Sequence, residues 1–87
     1  MEKEDVFEFP CRYPVKAMGR ADGALAEEVR KVVQRHAPEV SADDITIRPS
    51  ARGNYVSITI TITAHSRAQL EAIYTELRAH ELVLMTL

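Results

Sequence analysis

RGNYVSITITITAHS, residues 52–66, decides how this chain is read. Successive side chains of a strand point to opposite faces. Val56, Ile58, Ile60, Ile62 and Ala64 therefore share one side, and Ser57, Thr59, Thr61 and Thr63 share the other. Residues branched at Cβ suit a pleated, half-buried surface. The stretch predicts a long central strand whose isoleucines meet a core and whose hydroxyls line an open face.

Working outward, PSARGN (Pro49–Asn54) turns the chain just before this strand, and Gly53 can take a positive φ there at no steric cost. DITIR (Asp44–Arg48) precedes the turn and alternates Ile45 and Ile47 against Thr46 and Arg48, a second strand of a hairpin. On the other side, Ser66 and Gln69 form an S-x-x-Q capping box. The helix it opens runs to about Ala79 and buries Leu70, Ile73, Tyr74 and Leu77. LVLMTL (Leu82–Leu87) reads as a last strand.

Toward the N-terminus, YPVKAMG gives a short first strand from Tyr13 to Met18, ended by Gly19. Tyr13, Val15 and Ala17 point inward, and Lys16 and Met18 outward, because lysine is the costlier residue to bury. GRADG is a loop with Asp22 as helix cap. Leu25, Val29, Val32 and Val33 then repeat at helical spacing within Ala24–His36, and Pro38 stops that helix.

The order β-α-β-β-α-β is an α+β, ferredoxin-like sandwich. Right-handed crossovers give an antiparallel sheet in the order 4-1-3-2 with two helices on one face. Residues 1–8 are expected to be a flexible tail, and residues 9–87 a single domain.

Composition narrows the function. The chain has 87 residues and a formal net charge of -2, which argues against a general nucleic-acid binder. So small a domain buries only about 60–65% of its unfolded surface, and a partner would stabilise it. Cys11 is the one cysteine, so no internal disulfide forms, and a reducing cytoplasmic location is expected. MEKEDVFEF mixes charges of both signs, unlike a signal peptide, and no long apolar run suits a membrane span.

The topology gathers Arg20, Ser50, Arg52, Gly53, Asn54 and His80 at the end where the first helix begins. Arg48, Tyr55, Met18 and Leu82 are expected just below, on the open face. A helix N-terminus favours anions, and arginines add charge-assisted hydrogen bonds. The candidate ligand is an anionic group, either a small carboxylate or phosphate or an acidic partner surface. The last strand is the second anomaly. It lies at an edge, yet Leu82–Met85 and Leu87 are all apolar. Val83, Met85 and Leu87 are assigned to the core, leaving Leu82 and Leu84 outward beside Met18 as an interface for a second copy or a protein partner.

Other chemistries fit poorly. Cys11, His36 and His65 fall at the opposite end without ligand spacing or a fourth donor, so no metal site is assigned. No orienting group or oxyanion hole accompanies them, so no catalytic residue and no cofactor are assigned. RNA-recognition domains with this topology stack bases on aromatics of the central strands, where this chain has Thr59, Thr61 and Thr63.

Four segments, FEFPCRYPVKAMG (7–19), VVQRHAP (32–38), PSARGNYVSITITI (49–62) and IYTELRAHELVLMTL (73–87), carry a resemblance over nearly the whole chain. It resembles the YbeD-like family of small bacterial proteins of unassigned biochemical activity. The resemblance implies a ferredoxin-like fold similar to ACT-type regulatory domains, and an association with lipoate metabolism. It carries over Pro49, Ser50, Gly53 and Tyr55 of the turn. The combined expectation is a non-enzymatic regulatory or interaction domain, with a small-carboxylate sensor as the alternative and RNA binding a more distant one.

Overall fold

The computed structural model describes residues 8–21 and 23–87. The expected tail, all but Glu8, and the expected cap Asp22 lie outside the described residues. The elements run β1 (Cys11–Arg20), α1 (Leu25–His36), a short 3-10 turn (Ala42–Asp44), β2 (Ile45–Pro49), β3 (Tyr55–Ala64), α2 (Arg67–Ala79) and β4 (Met85–Thr86). They form one four-stranded antiparallel sheet in the order β2-β3-β1-β4, which is 4-1-3-2 read from its other edge.

The β1–β3 ladder is the spine. It pairs ten residues without a break, with Val15 opposite Ile60 and Ala17 opposite Ile58. On the other side of β3, Ile45 and Ile47 stand opposite Ile60 and Ile58. Cross-strand partners share a face, so these apolar residues turn the same way. Val15, Ala17, Ile58, Ile60 and Ile62 are fully buried against Leu25, Val29, Val33, Leu70, Ile73 and Leu77 of the helices. Both helices therefore cover one face, and the other carries the Thr and Ser side chains of β3.

β1 runs beyond its expected span at both ends. Gly19 does not terminate it; a Cβ at Gly19 would lie 2.4 Å from the Leu82 carbonyl oxygen and 2.9 Å from Leu25, so only glycine lets these segments approach. Pro14 is tolerated in this inner strand for a local reason. The Lys16 and Met18 carbonyls accept from Leu87 and Leu84 of the last segment, so alternate residues of β1 face β4. Pro14 also faces that side, past the end of a ladder that pairs only Ala17 and Met18, where no N–H is required.

The helix ends differ. α1 begins at Ala24, whose side chain supplies no cap, while Glu27 and Glu28 in the first turn and Arg35 and His36 in the last complement its dipole. α2 has the expected cap, with Ser66 Oγ accepting from the Gln69 N–H at 3.1 Å. The reciprocal bond shifts by one residue: the Gln69 side-chain oxygen accepts from the His65 N–H at 2.6 Å. Its amide donates to the His36 carbonyl at 2.8 Å, tying the start of α2 to the end of α1.

The last strand departs most from expectation. After α2 the chain turns, with the Val83 N–H bonded to the His80 carbonyl and the Leu82 N–H to His80 Nδ1. That turn packs Leu82 and Val83 together against the core, which shifts the alternation by one. Met85 then pairs with Met18, and Thr86 with Ala17. Leu82 is thus a core-packing residue rather than an outward one. Met85 and Leu87, expected inside, are 50% and 59% exposed.

Candidate functional site

The expected residues fall in two neighbouring regions, the hairpin end of the open face and the β4 edge. In the hairpin, Gly53 takes φ 77°, the left-handed conformation the turn requires. The Gly53 N–H donates to the Ser50 carbonyl at 3.0 Å, and the Ser50 N–H to the Tyr55 carbonyl at 2.8 Å. Ser50 Oγ accepts from the Tyr55 N–H at 3.2 Å. Ser50 and Tyr55 therefore brace the turn. The Asn54 carbonyl accepts from the Ala21 N–H at 3.0 Å, fastening the hairpin to the end of β1.

Arg20 lies opposite Tyr55 in the ladder, with its guanidinium 6.0 Å from the ring centroid. Below them Met18, Arg48, Pro49, Ser50, Tyr55, Val56 and Ser57 line a shallow depression of about 250 Å³. Four of the expected residues, Met18, Arg48, Ser50 and Tyr55, thus surround one hollow. Arg52 and Gly53 sit exposed on the turn outside its lining. Leu82 is absent from it because it joins the core. His80 also departs from the expected cluster. Its Nδ1 accepts from Leu82, so Nε2 carries the proton and donates to Glu28 Oε1 at 3.2 Å. His80 pins the last segment to α1, and together with Lys31 holds the Glu28 carboxyl below its ordinary pKa.

At the β4 edge, Leu84, Met85 and Leu87 are 58%, 50% and 59% exposed. The Leu87 N–H points inward to the Lys16 carbonyl, so the backbone groups of Thr86 point away from β1, along the free side of the strand. Tyr74 of α2 supports this end: its hydroxyl donates to the Leu87 carbonyl at 3.1 Å. Burial, reinforced by neighbouring Tyr13, pushes the Tyr74 phenol up to about 12.

Two features escaped the sequence. An apolar groove of about 460 Å³ runs between α1 and β2, lined by Ala21, Gly23, Ala26, Ile47, Pro49, Val56 and Ile58. Ile47 faces the helix side yet is 52% exposed, because α1 does not reach over this edge. A cleft of about 200 Å³ separates Phe9 and Tyr13 from Arg67, Leu70, Glu71, Tyr74 and Arg78. The phase of Ile45 and Ile47 was readable; which edge the helices leave bare depends on their placement.

At the far end, His36 Nε2 meets Glu76 at 2.6 Å and Arg35 meets the same carboxylate at 3.1 Å. Both hold the Glu76 carboxyl below its usual range. Among the described residues, no group of three or more His, Cys, Asp or Glu side chains is arranged to hold a metal. No helix among them is long and apolar enough to cross a membrane.

Residues 4–87 match the model of a family described as "Protein of unknown function (DUF493)". A UPF0250 protein of Chromobacterium violaceum is 42% identical over 86 residues, covering 99% of this chain and 97% of that one. A UPF0250 protein of Ectopseudomonas mendocina is 46% identical over 81 residues, covering 92% and 88%. Among solved structures, the solution structure of protein HP0495 from H. pylori superimposes with a TM-score of 0.74 at 10% identity, covering 98% of this chain and 89% of that one. That likeness is one of fold.

Proposed function

The chain belongs to the DUF493 (UPF0250) family of small bacterial proteins, the family of its YbeD-like resemblance, and from that premise we propose that it is a non-catalytic association domain. It acts by pairing its β4 edge with a second copy of itself, in the manner of ACT-type modules on a ferredoxin-like frame. The observation that carries this reading is the coincidence at one edge of three exposed apolar side chains, Leu84, Met85 and Leu87, with the outward backbone of Thr86. Such an edge is a template for strand addition, and native proteins usually blunt it with charge or cover.

An antiparallel, two-fold β4–β4 pairing uses the same patch on both copies, the commonest dimer symmetry. Completing the burial of these half-exposed side chains on both copies contributes about 5–9 kcal/mol gross. Association entropy opposes it by about 4–15 kcal/mol, so at most about 5 kcal/mol remains and a dimer of about 0.2 mM or weaker is expected. Sedimentation equilibrium over a concentration series tests it. The wild type should approach twice its monomer mass, and Leu84→Glu, at an exposed position, should remain monomeric and folded. An unchanged mass distribution in Leu84→Glu, or a wild type monomeric at every concentration, contradicts the self-pairing.

A second reading, a small-carboxylate sensor, draws support from the hollow beside Arg48 and Tyr55. Titrating ¹⁵N-labelled protein with free amino acids, octanoate and lipoate tests it. Saturable shifts at residues 19–21 and 50–57 would support it, and silence from all three would count against it.

A further inference from the structure

The strands sort charge in a way that solvation alone does not require. β1, β2, β3 and β4 contain Arg12, Lys16, Arg20 and Arg48 and no carboxylate, although the whole chain has 13 acids against 11 Lys and Arg. Alternation and register place all four cations on the face opposite the helices. Here Lys16 and Thr46 flank Thr59, Met18 and Arg48 flank Ser57, and Arg20 stands beside Tyr55. Arg12, toward the far end, is engaged by Asp44 at 3.1 Å and Thr63 at 3.0 Å. Lys16, Arg20 and Arg48 have no carboxylate partner among the described residues.

The helix layer is the converse. Glu27 is held by Arg30, Glu28 by Lys31 and His80, and Glu76 by Arg35 and His36. A second copy's helix layer thus offers few free carboxylates to this face. A face turned only to water would accept acids as readily as bases. Their absence from the strand residues leaves, away from the Arg12–Asp44 pair, a cationic surface with hydroxyl donors between the charges.

We propose that this open face, centred on Lys16, Arg20 and Arg48, binds an acidic segment of a partner polypeptide. Lys16 and Arg20 are four residues apart on one strand, and Arg48 lies two strands away. The cations thus span about 13 Å along the sheet and about 10 Å across it. One small carboxylate cannot bridge that span, whereas a peptide with acids on alternate residues has a carboxylate every ~7 Å. Arg20 and Arg48 pair with carboxylates as forks, and Thr46, Ser57 and Thr59 supply further donors. The hollow floored by Met18 between Arg48 and Tyr55 accepts an apolar side chain of the same segment.

Nucleic acid fits less well. Single-strand binders stack successive bases on aromatic side chains. Tyr55 is the one aromatic among the strand residues of this face, and Arg20 already covers its ring. The partner surface adjoins the β4 edge, where Met85 pairs with Met18. Its charged anchors lie on β1 and β2, so Arg48→Glu and Leu84→Glu test the two separately.

The test is fluorescence anisotropy with a labelled ten-residue peptide alternating glutamate and leucine, titrated with the full chain. A labelled uridine oligonucleotide of equal charge is titrated in parallel. Saturable peptide binding is expected, weakening at least about fivefold in Lys16→Glu and in Arg48→Glu and on raising salt through the screening range. Lys31→Glu makes the same charge change on the helix layer and should stay within about twofold. Circular dichroism melts confirm that each variant is folded. Absence of saturable peptide binding, or an equal loss in Lys31→Glu, overturns the proposal. So does tighter binding of the oligonucleotide through the same residues, which would make the face a nucleic-acid surface.

Discussion

β1 is paired very differently on its two sides. Toward β3 it forms a ten-residue ladder; toward β4 it pairs only Ala17 and Met18. The side chains follow the backbone: Ile58, Ile60 and Ile62 beyond the long ladder are buried, whereas Leu84, Met85 and Leu87 around the short one remain half-exposed. The two sides use residues of the same chemical kind, so hydrophobicity alone does not separate them. What differs is whether the fold supplies a neighbour. On the β3 side it does, and the apolar residues hold the molecule together. On the β4 side it does not, and they are available to something else.

Substitutions on either side should break or sharpen this contrast. The largest effect is expected from Ile60→Ala, which opens a cavity under the long ladder and should lower stability by about 2–5 kcal/mol in urea melts. Gly19→Ala comes next. Its methyl would collide with the Leu82 carbonyl, so a loss of about 1–3 kcal/mol is expected, with the last segment displaced from β1. Normal stability in that variant would show that the approach of Leu82 to β1 is not tight.

Tyr74→Phe removes the hydroxyl that holds the Leu87 carbonyl and should cost about 0.5–1.5 kcal/mol. It also has a pH signature. The folded phenol titrates near 12 rather than its ordinary 10, so folding favours its protonated form. Its contribution is whole below pH 10 and is lost as pH rises through 12, and the Phe variant should show a flatter stability profile across that window. The smallest effect on stability belongs to Leu84→Glu, within about 0.5 kcal/mol, despite its predicted loss of self-association.

The legible parts of the fold are those with dense local signals. Alternation over Val56–Ala64 predicted the long strand and its two faces, and the 3.6-residue spacing of Leu25, Val29, Val32 and Val33 predicted α1. The hairpin was readable from Gly53, whose positive φ the structure bears out. The phase of the last segment was misread, because Leu82–Met85 are all apolar and the one contrast, Thr86, falls in phase with buried Ala17. Its phase comes from the His80 turn, which packs Leu82 and Val83 on the same side. The strand boundary at Gly19 was misread for a related reason: glycine ends many strands, but here it admits a backbone from a distant segment. Within the candidate site, topology and the family's turn pattern marked Ser50 and Tyr55. Arg52 was marked by topology and its charge, and it stands outside the hollow that Arg48 lines. The cationic face was written in the strands throughout, and became visible once each charge was assigned to a side of the sheet.

The most direct test of the edge account is amide hydrogen exchange of Thr86 at low and high protein concentration. Its N–H points away from β1 and has no ladder partner among the described residues. If β4 pairs with β4 of a second copy, its exchange should slow as concentration rises, in the wild type and not in Leu84→Glu. Exchange at the same rate at every concentration would contradict the pairing and leave the apolar edge without the role assigned to it.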